Sequence, residues 1–209
     1  MKLDLSLENI YKTAGNFLQE NNILLTSSPY CKMPPGQEHY FLLAAIGGQL
    51  KNKKIIELGT HKGRSALCLN WCNNNMVYTY DIQDIRLPYI FDHKNIYFKK
   101  DNLFDKTIRE KNKDHLLSSD LIFIDIDPHE GILELEIYNW LKDHNYKGII
   151  LYDDIKLGTG HMGTKTDNSM RDTFWKNIED KYKKDISHVG HWSGTGLISF
   201  NFDNIELTL

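Results

Sequence analysis

The stretch Ile55 to Ser65, IIELGTHKGRS, decides how the rest of the chain is read. A short apolar run ends in an acid, and two glycines then bracket three larger residues. An apolar run of this length bounded by glycine reads as a buried strand, and GRSALCLNWC, from Gly63 to Cys72, reads as the helix that follows. Glycines at such a strand-to-helix turn let the backbone approach a ligand without a Cβ in the way. The dinucleotide pattern Gly-x-Gly-x-x-Gly would need a glycine at position 61, where this chain has His61, so another ligand is expected.

The same alternation continues outward from this turn. Apolar, β-branched runs recur at KKIIEL, MVYTYD, NIYF, DLIFID and GIILYD. Helical patterns lie between them: a short one near 84–91, one near 103–117, and EGILELEIYNWLKDH. In the last, Ile132, Leu133, Ile137, Tyr138 and Leu141 form one apolar face. Strands this apolar, alternating with helices, predict a parallel sheet covered on both faces and doubly wound. The C-terminal part differs. NSMRDTFWKNIEDKYKK reads as a helix capped by Asn168 or Ser169, followed by DISHVGHW and GTGLISFNF as a two-stranded hairpin. The fold class is therefore α/β, mostly parallel, with an antiparallel terminal hairpin strand.

Before the sheet, two helices are expected near 6–21 and 37–50. The segment between them, TSSPYCKMPPGQ, reads as a loop, either a connector or a lid. The organisation expected is one domain over 1–209, with a helical lead over 1–50 and a Rossmann-like core over 51–209.

Bulk numbers exclude several classes. The 209 residues suffice for one domain, and 41% hydrophobic with 25% charged residues is ordinary for a globular chain. A formal net charge of -3 implies no polyanion, so no nucleic acid partner is expected. No apolar run reaches membrane-span length, and Asp4 and Glu8 interrupt any signal-peptide pattern, so a cytoplasmic protein without a membrane partner is expected. Three cysteines, Cys31, Cys68 and Cys72, argue against a disulfide framework. Cys68 and Cys72, four apart on a helix, are read as small core residues rather than half a metal site.

In an open α/β sheet the ligand sits beyond the carboxyl ends of the strands, where strand order reverses. Asp81 ends the second strand of the sheet, 22 residues beyond Gly59, where an acid commonly accepts hydrogen bonds from ribose hydroxyls. Asp101 and Asn102 follow the third strand, where a base edge can be read. This spacing predicts an adenosine-type ligand.

The stretch ELGTHKGRS resembles the first motif of class I S-adenosylmethionine-dependent methyltransferases, in the Glu-x-Gly-x-x-x-Gly-x-Ser form of catechol-type and related small-molecule O-methyltransferases. The resemblance covers roughly residues 37 to 200 and implies the seven-stranded methyltransferase fold. It implies that Gly59, Thr60, Gly63 and Ser65 meet the methionine end of S-adenosyl-L-methionine. Glu57 would support the loop, Asp81 would take the ribose diol, and Asp101 with Asn102 would lie near the adenine.

A second set of acids ends later strands. Asp125 ends the fourth strand of the sheet, and Asp153 and Asp154 end the fifth. Three carboxylates at one rim repel unless a cation joins them, and oxygen ligands point to a hard ion, Mg²⁺ foremost, with Mn²⁺ or Ca²⁺ as alternatives. Metal-dependent O-methyltransferases carry acids at these same positions. Consecutive strand residues face opposite ways, so Asp153 and Asp154 share an ion only if the chain turns there. Asp127 is read equally as a site acid or as a capping acid.

Sugar O-methyltransferases often read Ile-Asp-Gly-Asp-His-Ser-Tyr-Glu-Gly around the metal-binding Asp. This chain has Ile124-Asp125-Ile126-Asp127-Pro128-His129-Glu130-Gly131, one residue shorter, with its His displaced by one. His129 is the expected general base, because imidazole titrates near working pH, and Lys156 is the alternative. The loop KLGTGHMGTKTD, with His161 and Met162, is expected to wall the substrate. His191 and Trp192 could face a sugar ring, although Trp192 is read first as packing at a sheet end, and His188 with His191 gives poor support for zinc.

The acceptor expected is a small molecule, a sugar or glycan before a catechol; oligomeric state stays open. The rival functions are a metal-dependent glycosyltransferase using Asp125-x-Asp127, a nicotinamide oxidoreductase, which His61 disfavours, and a non-catalytic binding protein of the same fold.

Overall fold

The structure, a computed structural model, describes residues 1–20, 28–71, 74–160 and 167–209. Its centre is a seven-stranded sheet in the order β4-β3-β2-β5-β6-β8-β7. The strands are β2 (Lys54–Leu58), β3 (Met76–Asp81), β4 (Ile96–Lys100), β5 (Leu121–Ile124), β6 (Ile149–Asp153), β7 (Lys183–Asp185) and β8 (Thr195–Ile198). β4 through β6 run parallel in the sheet, and β8 is antiparallel to both β6 and β7. Strand order reverses between β2 and β5, which opens the crevice beyond Leu58 and Ile124.

Alternation along each strand builds two cores. Ile55, Phe123, Leu151 and Leu197 face one side, against α1 (Leu7–Glu20), α2 (Tyr40–Gln49) and α3 (Arg64–Leu69). Ile56, Ile122, Ile150 and Ile198 face the other side, where α4 (Lys106–Lys111), α5 (Lys113–Leu117) and α6 (Ile132–Asp143) lie. Strands buried on both faces explain the near-continuous apolar runs. A separate parallel pair, β1 (Lys2–Asp4) with β9 (Glu206–Thr208), ties the two ends of the chain together. No sequence pattern marks this pair, because each strand has only three residues.

Three expected elements differ. Residues 168–184 are not one helix. A π-type turn at Met170–Phe174 is followed by 3-10 turns at Trp175–Asn177 and Asp180–Tyr182. The Lys183 ammonium donates to the carbonyls of Trp175 and Ile178, which a continuing helix would have needed, and Lys183 itself enters β7. Ser169 is the cap, accepting from the Asp172 amide. The hairpin strand accordingly starts earlier than expected, and most of DISHVGHW is a loop that turns back towards the sheet centre. Near 84–91 only Pro88–Ile90 forms a 3-10 turn, since Pro88 holds Leu87 extended (ψ 114°). The pattern near 103–117 is split at Asn112 into α4 and α5.

Cys31 and Cys68 are free and buried, and Cys72 lies outside the described residues. Among the described residues no helix is long and apolar enough to cross a membrane.

Candidate active site

Gly59 leaves β2 with φ 101°, and Gly63 opens α3 with φ 85°. Both are positions that L side chains rarely adopt. What crowds them is the protein itself. A Cβ on Gly59 would lie 1.7 Å from the Asp125 carbonyl oxygen, and one on Gly63 would lie 2.8 Å from the Phe91 ring. Gly59 therefore lets the tip of β2 pass directly beside the tip of β5, bringing loop and acid together.

Glu57 is fully buried beneath this turn. Thr79 donates to Glu57, and the Thr60 and Thr79 hydroxyls are 2.5 Å apart, so the three residues brace the loop from below. Burial pushes the Glu57 carboxyl up to about 7. Asp81 accepts from the His61 amide at 2.9 Å with one oxygen and from the Gln83 amide at 2.9 Å with the other. Each oxygen keeps a second lone pair for a ligand.

A cavity of about 730 Å³ runs over this loop. Gly59, Thr60, Ser65, Asp81, Asp101 and Asn102 line one end, and Asp125, Asp153, Asp154 and His129 line the other. The volume is that of a small-molecule site.

The acid end is built by strand parity and one turn. Asp153 ends β6 on the face of Leu151, towards the N-terminal helices. Asp154 should face the opposite side, but its φ is 63°, and this left-handed residue returns its carboxylate to the same region. Ser193 donates to Asp154 and holds it. His129 Nδ1 is 3.1 Å from Asp154, and its Nε2 is 3.1 Å from Asp127. Asp127 itself is 84% exposed, at the rim of the cavity, with the His129 ring between it and Asp154.

Two histidines join these acids. His39, just before α2, places Nδ1 at 3.0 Å from Asp153 and 3.2 Å from Glu38. His191 reaches in from the β7–β8 loop, with Nδ1 3.3 Å from Asp153 and 3.5 Å from Asp154. Burial pulls the His39 ring down, but Asp153 and then Glu38 outweigh it and raise it to about 9. The same opposition, with Asp153 and Asp154 as partners, raises His191 to about 10. Burial and the charge of Asp153 push Asp125 well above the usual carboxylate range. Burial also works on Asp153, yet His39 and His191 hold it below that range.

This donor set fits a divalent cation. Ligand atoms of His39, Asp125 and Asp153 lie within 4.8 Å of one another, as do those of Asp153, Asp154 and His191. His39 Nδ1 is buried, in ion-pair contact with two carboxylates, and aligned with neither as a hydrogen bond.

Among solved structures, cofactor-bound Rv0187 from MTB is similar, with a TM-score of 0.53 and 18% identity over 76% of this chain and 77% of that one. A candidate caffeoyl-CoA O-methyltransferase from Staphylococcus aureus gives 0.51 and 15% over 77% and 82%. The chain has the seven-stranded methyltransferase fold. No protein-family model and no curated protein matches the sequence.

On this fold several residues take places that the sequence did not give them. Lys156 does not line the cavity; its ammonium pairs with Asp185 at 3.1 Å, across the hairpin. Trp192 is not packed at a sheet end: it is 58% exposed and lines the cavity, because the loop that turns His191 inward leaves its neighbour at the rim. His188 is exposed and forms no pair with His191 at the acids. Glu38 and His39 were invisible in the sequence, since nothing local distinguishes them from an ordinary helix start. His161 and Met162 lie outside the described residues.

Proposed function

We propose that this chain is an S-adenosylmethionine-dependent O-methyltransferase, assisted by a divalent cation, acting on a hydroxyl of a small molecule, a sugar or glycan in particular. The observation that carries this reading is one cavity on a methyltransferase fold that is lined both by Asp81, at the end of β3, and by the carboxylates of Asp125, Asp153 and Asp154.

The cofactor would supply an electrophilic methyl group on a sulfonium, and the cation a Lewis acid for the acceptor oxygen. Everything else falls to the chain. Thr60, Ser65 and the backbone at Gly59 would seat the methionine end, with Glu57 and Thr79 stiffening the loop from beneath; Gly63 does not line the cavity and instead makes room for the Phe91 ring. Asp81 would hold the ribose, and Asp101 and Asn102 would lie at the adenine. Asp153 would be the central carboxylate holding the cation, with Asp125 beside it in one compact donor group and Asp154 in another; Asp125 and Asp154 share no such group among the described residues. His129, which Asp154 orients, would take the acceptor's proton. Lys156 is a poorer base, being engaged by Asp185 outside the cavity. The exposed indole of Trp192 offers a flat apolar surface on which a sugar ring can rest. Free buried cysteines suit a reducing compartment such as the cytoplasm.

The glycosyltransferase reading needs Asp125 and Asp127 to act as a pair, whereas Asp127 is turned out to solvent. Calorimetry with S-adenosylhomocysteine tests cofactor binding, and a methyl-transfer screen over sugars, nucleotide sugars and catechols, with and without EDTA, tests turnover. Absence of S-adenosylhomocysteine binding would overturn the proposal. Binding without turnover on any acceptor would favour a binding protein.

A further inference from the structure

We propose that His39 and His191 are themselves ligands, so that the cation site is a mixed nitrogen–oxygen centre selecting a first-row transition metal over Mg²⁺. The inference rests on the cation part of the function proposed above and narrows it.

Three observations converge. First, the candidate donor groups overlap. Glu38, His39 and His191 form one, His39, Asp125 and Asp153 a second, and Asp153, Asp154 and His191 a third. Each of the two histidines belongs to two of them, so among the described residues every compact donor set contains an imidazole.

Second, His39 Nδ1 is held by carboxylates at contact distance but aligned with neither as a hydrogen bond. Its side chain is 6% exposed, and the nitrogen faces Asp153 at 3.0 Å and Glu38 at 3.2 Å without hydrogen-bond geometry to either. A buried ring nitrogen is normally hydrogen-bonded. A ring raised to about 9 would carry a proton between these carboxylates, and a cation bound here takes the place of that proton among the same atoms. Two atoms each ~2.1 Å from an ion and at right angles lie ~3.0 Å apart, which is the spacing found here.

Third, the supports are those of ligating side chains. Ser193 Oγ donates its one proton to Asp154 and so accepts from His191 Nδ1 at 2.5 Å, which fixes both side chains and leaves Nε2 as the nitrogen of His191 free to ligate. The His39 ring packs edge-on against Phe123, with centroids 5.5 Å apart.

The chemistry sets the choice of metal. Mg²⁺ takes oxygen ligands and keeps its waters, whereas imidazole favours Mn²⁺, Fe²⁺, Co²⁺ or Zn²⁺ increasingly along the series.

Metal-stripped protein titrated calorimetrically with Mn²⁺, Zn²⁺ and Mg²⁺ tests the proposal, with pulsed electron paramagnetic resonance of the Mn²⁺ complex as a direct readout. We expect Zn²⁺ and Mn²⁺ to bind more tightly than Mg²⁺, Zn²⁺ by at least about 100-fold, with ¹⁴N coupling on Mn²⁺. His39→Gln and His191→Gln should each weaken Zn²⁺ by about 10-fold or more and leave Mg²⁺ nearly unchanged. Their S-adenosylhomocysteine affinity and melting temperature, measured alongside, report whether the variants still fold. Wild-type Mn²⁺ binding with no ¹⁴N coupling, or folded variants with wild-type Zn²⁺ affinity, would overturn the histidine assignment and leave the oxygen site standing. Binding of none of the three metals would overturn both.

Discussion

Asp153 and Asp154 are neighbours in sequence, yet both carboxylates lie with His191 in one donor group, because Asp154 adopts φ 63°. A strand continued through Asp154 would have sent the second acid to the opposite face of the sheet.

That backbone can be tested apart from the charge. Asp154→Gly and Asp154→Val remove the same carboxylate, but only valine opposes a positive φ. The valine variant should be less stable than the glycine variant by about 1–3 kcal/mol, read from denaturant melts. Equal stability would mean that the turn is not enforced. Both variants should lose cation affinity.

Asp81→Ala should weaken S-adenosylhomocysteine binding by about 1.5–3 kcal/mol, the loss typical of a hydrogen bond to a charged group. It also removes the acceptor of the His61 and Gln83 amides, so the loop should exchange amide hydrogens faster there. An unchanged dissociation constant would remove Asp81 from the cofactor site.

His129→Ala should lower turnover by about 10²–10⁴-fold while leaving S-adenosylhomocysteine affinity within error. Lys156→Ala should turn over at close to the wild-type rate, since Lys156 is held by Asp185. Reversal of these two results in single-turnover assays would move the base to Lys156.

His115 predicts a pH dependence far from the site. Burial, and then the charges of Lys54 and Lys99, lower its ring from 6.5 to about 4. It packs edge-on against Tyr78, with centroids 4.5 Å apart. Between those two pH values the unfolded chain binds a proton that the folded chain refuses, so stability falls as pH drops through the window. His115→Gln should therefore lose less melting temperature than wild type between about pH 7 and about pH 4.5. Parallel curves would remove His115 from the acid response.

Much of the fold was legible because local pattern and burial agree along the sheet. Each apolar run from Lys54 to Asp153 became a strand, and the helices over 64–69 and 132–143 fall where the periods put them, whereas 84–91 holds only a 3-10 turn and 103–117 is split in two. The pattern failed where long-range groups settle the backbone. Residues 168–184 have helical periodicity, but Lys183 takes the carbonyls a continuing helix would need.

The sequence by itself determined which acids stand at the strand ends: Asp81, Asp125 and Asp153 are set by where each apolar run stops, while Glu57 lies one residue inside the end of β2. Strand ends in a parallel sheet gather at one rim, so these acids were bound to line one crevice, Asp125 and Asp153 on adjacent strands and Asp81 farther along. Only the tertiary structure decided what surrounds them. His39 comes from the segment before α2 and His191 from the loop after β7, 152 positions apart in the chain, and they meet with ring centroids 5.6 Å apart. No local period encodes that meeting. It depends on how the N-terminal helices pack on one face of the sheet and on where the terminal hairpin turns back, both of which are set by burial summed over the whole core.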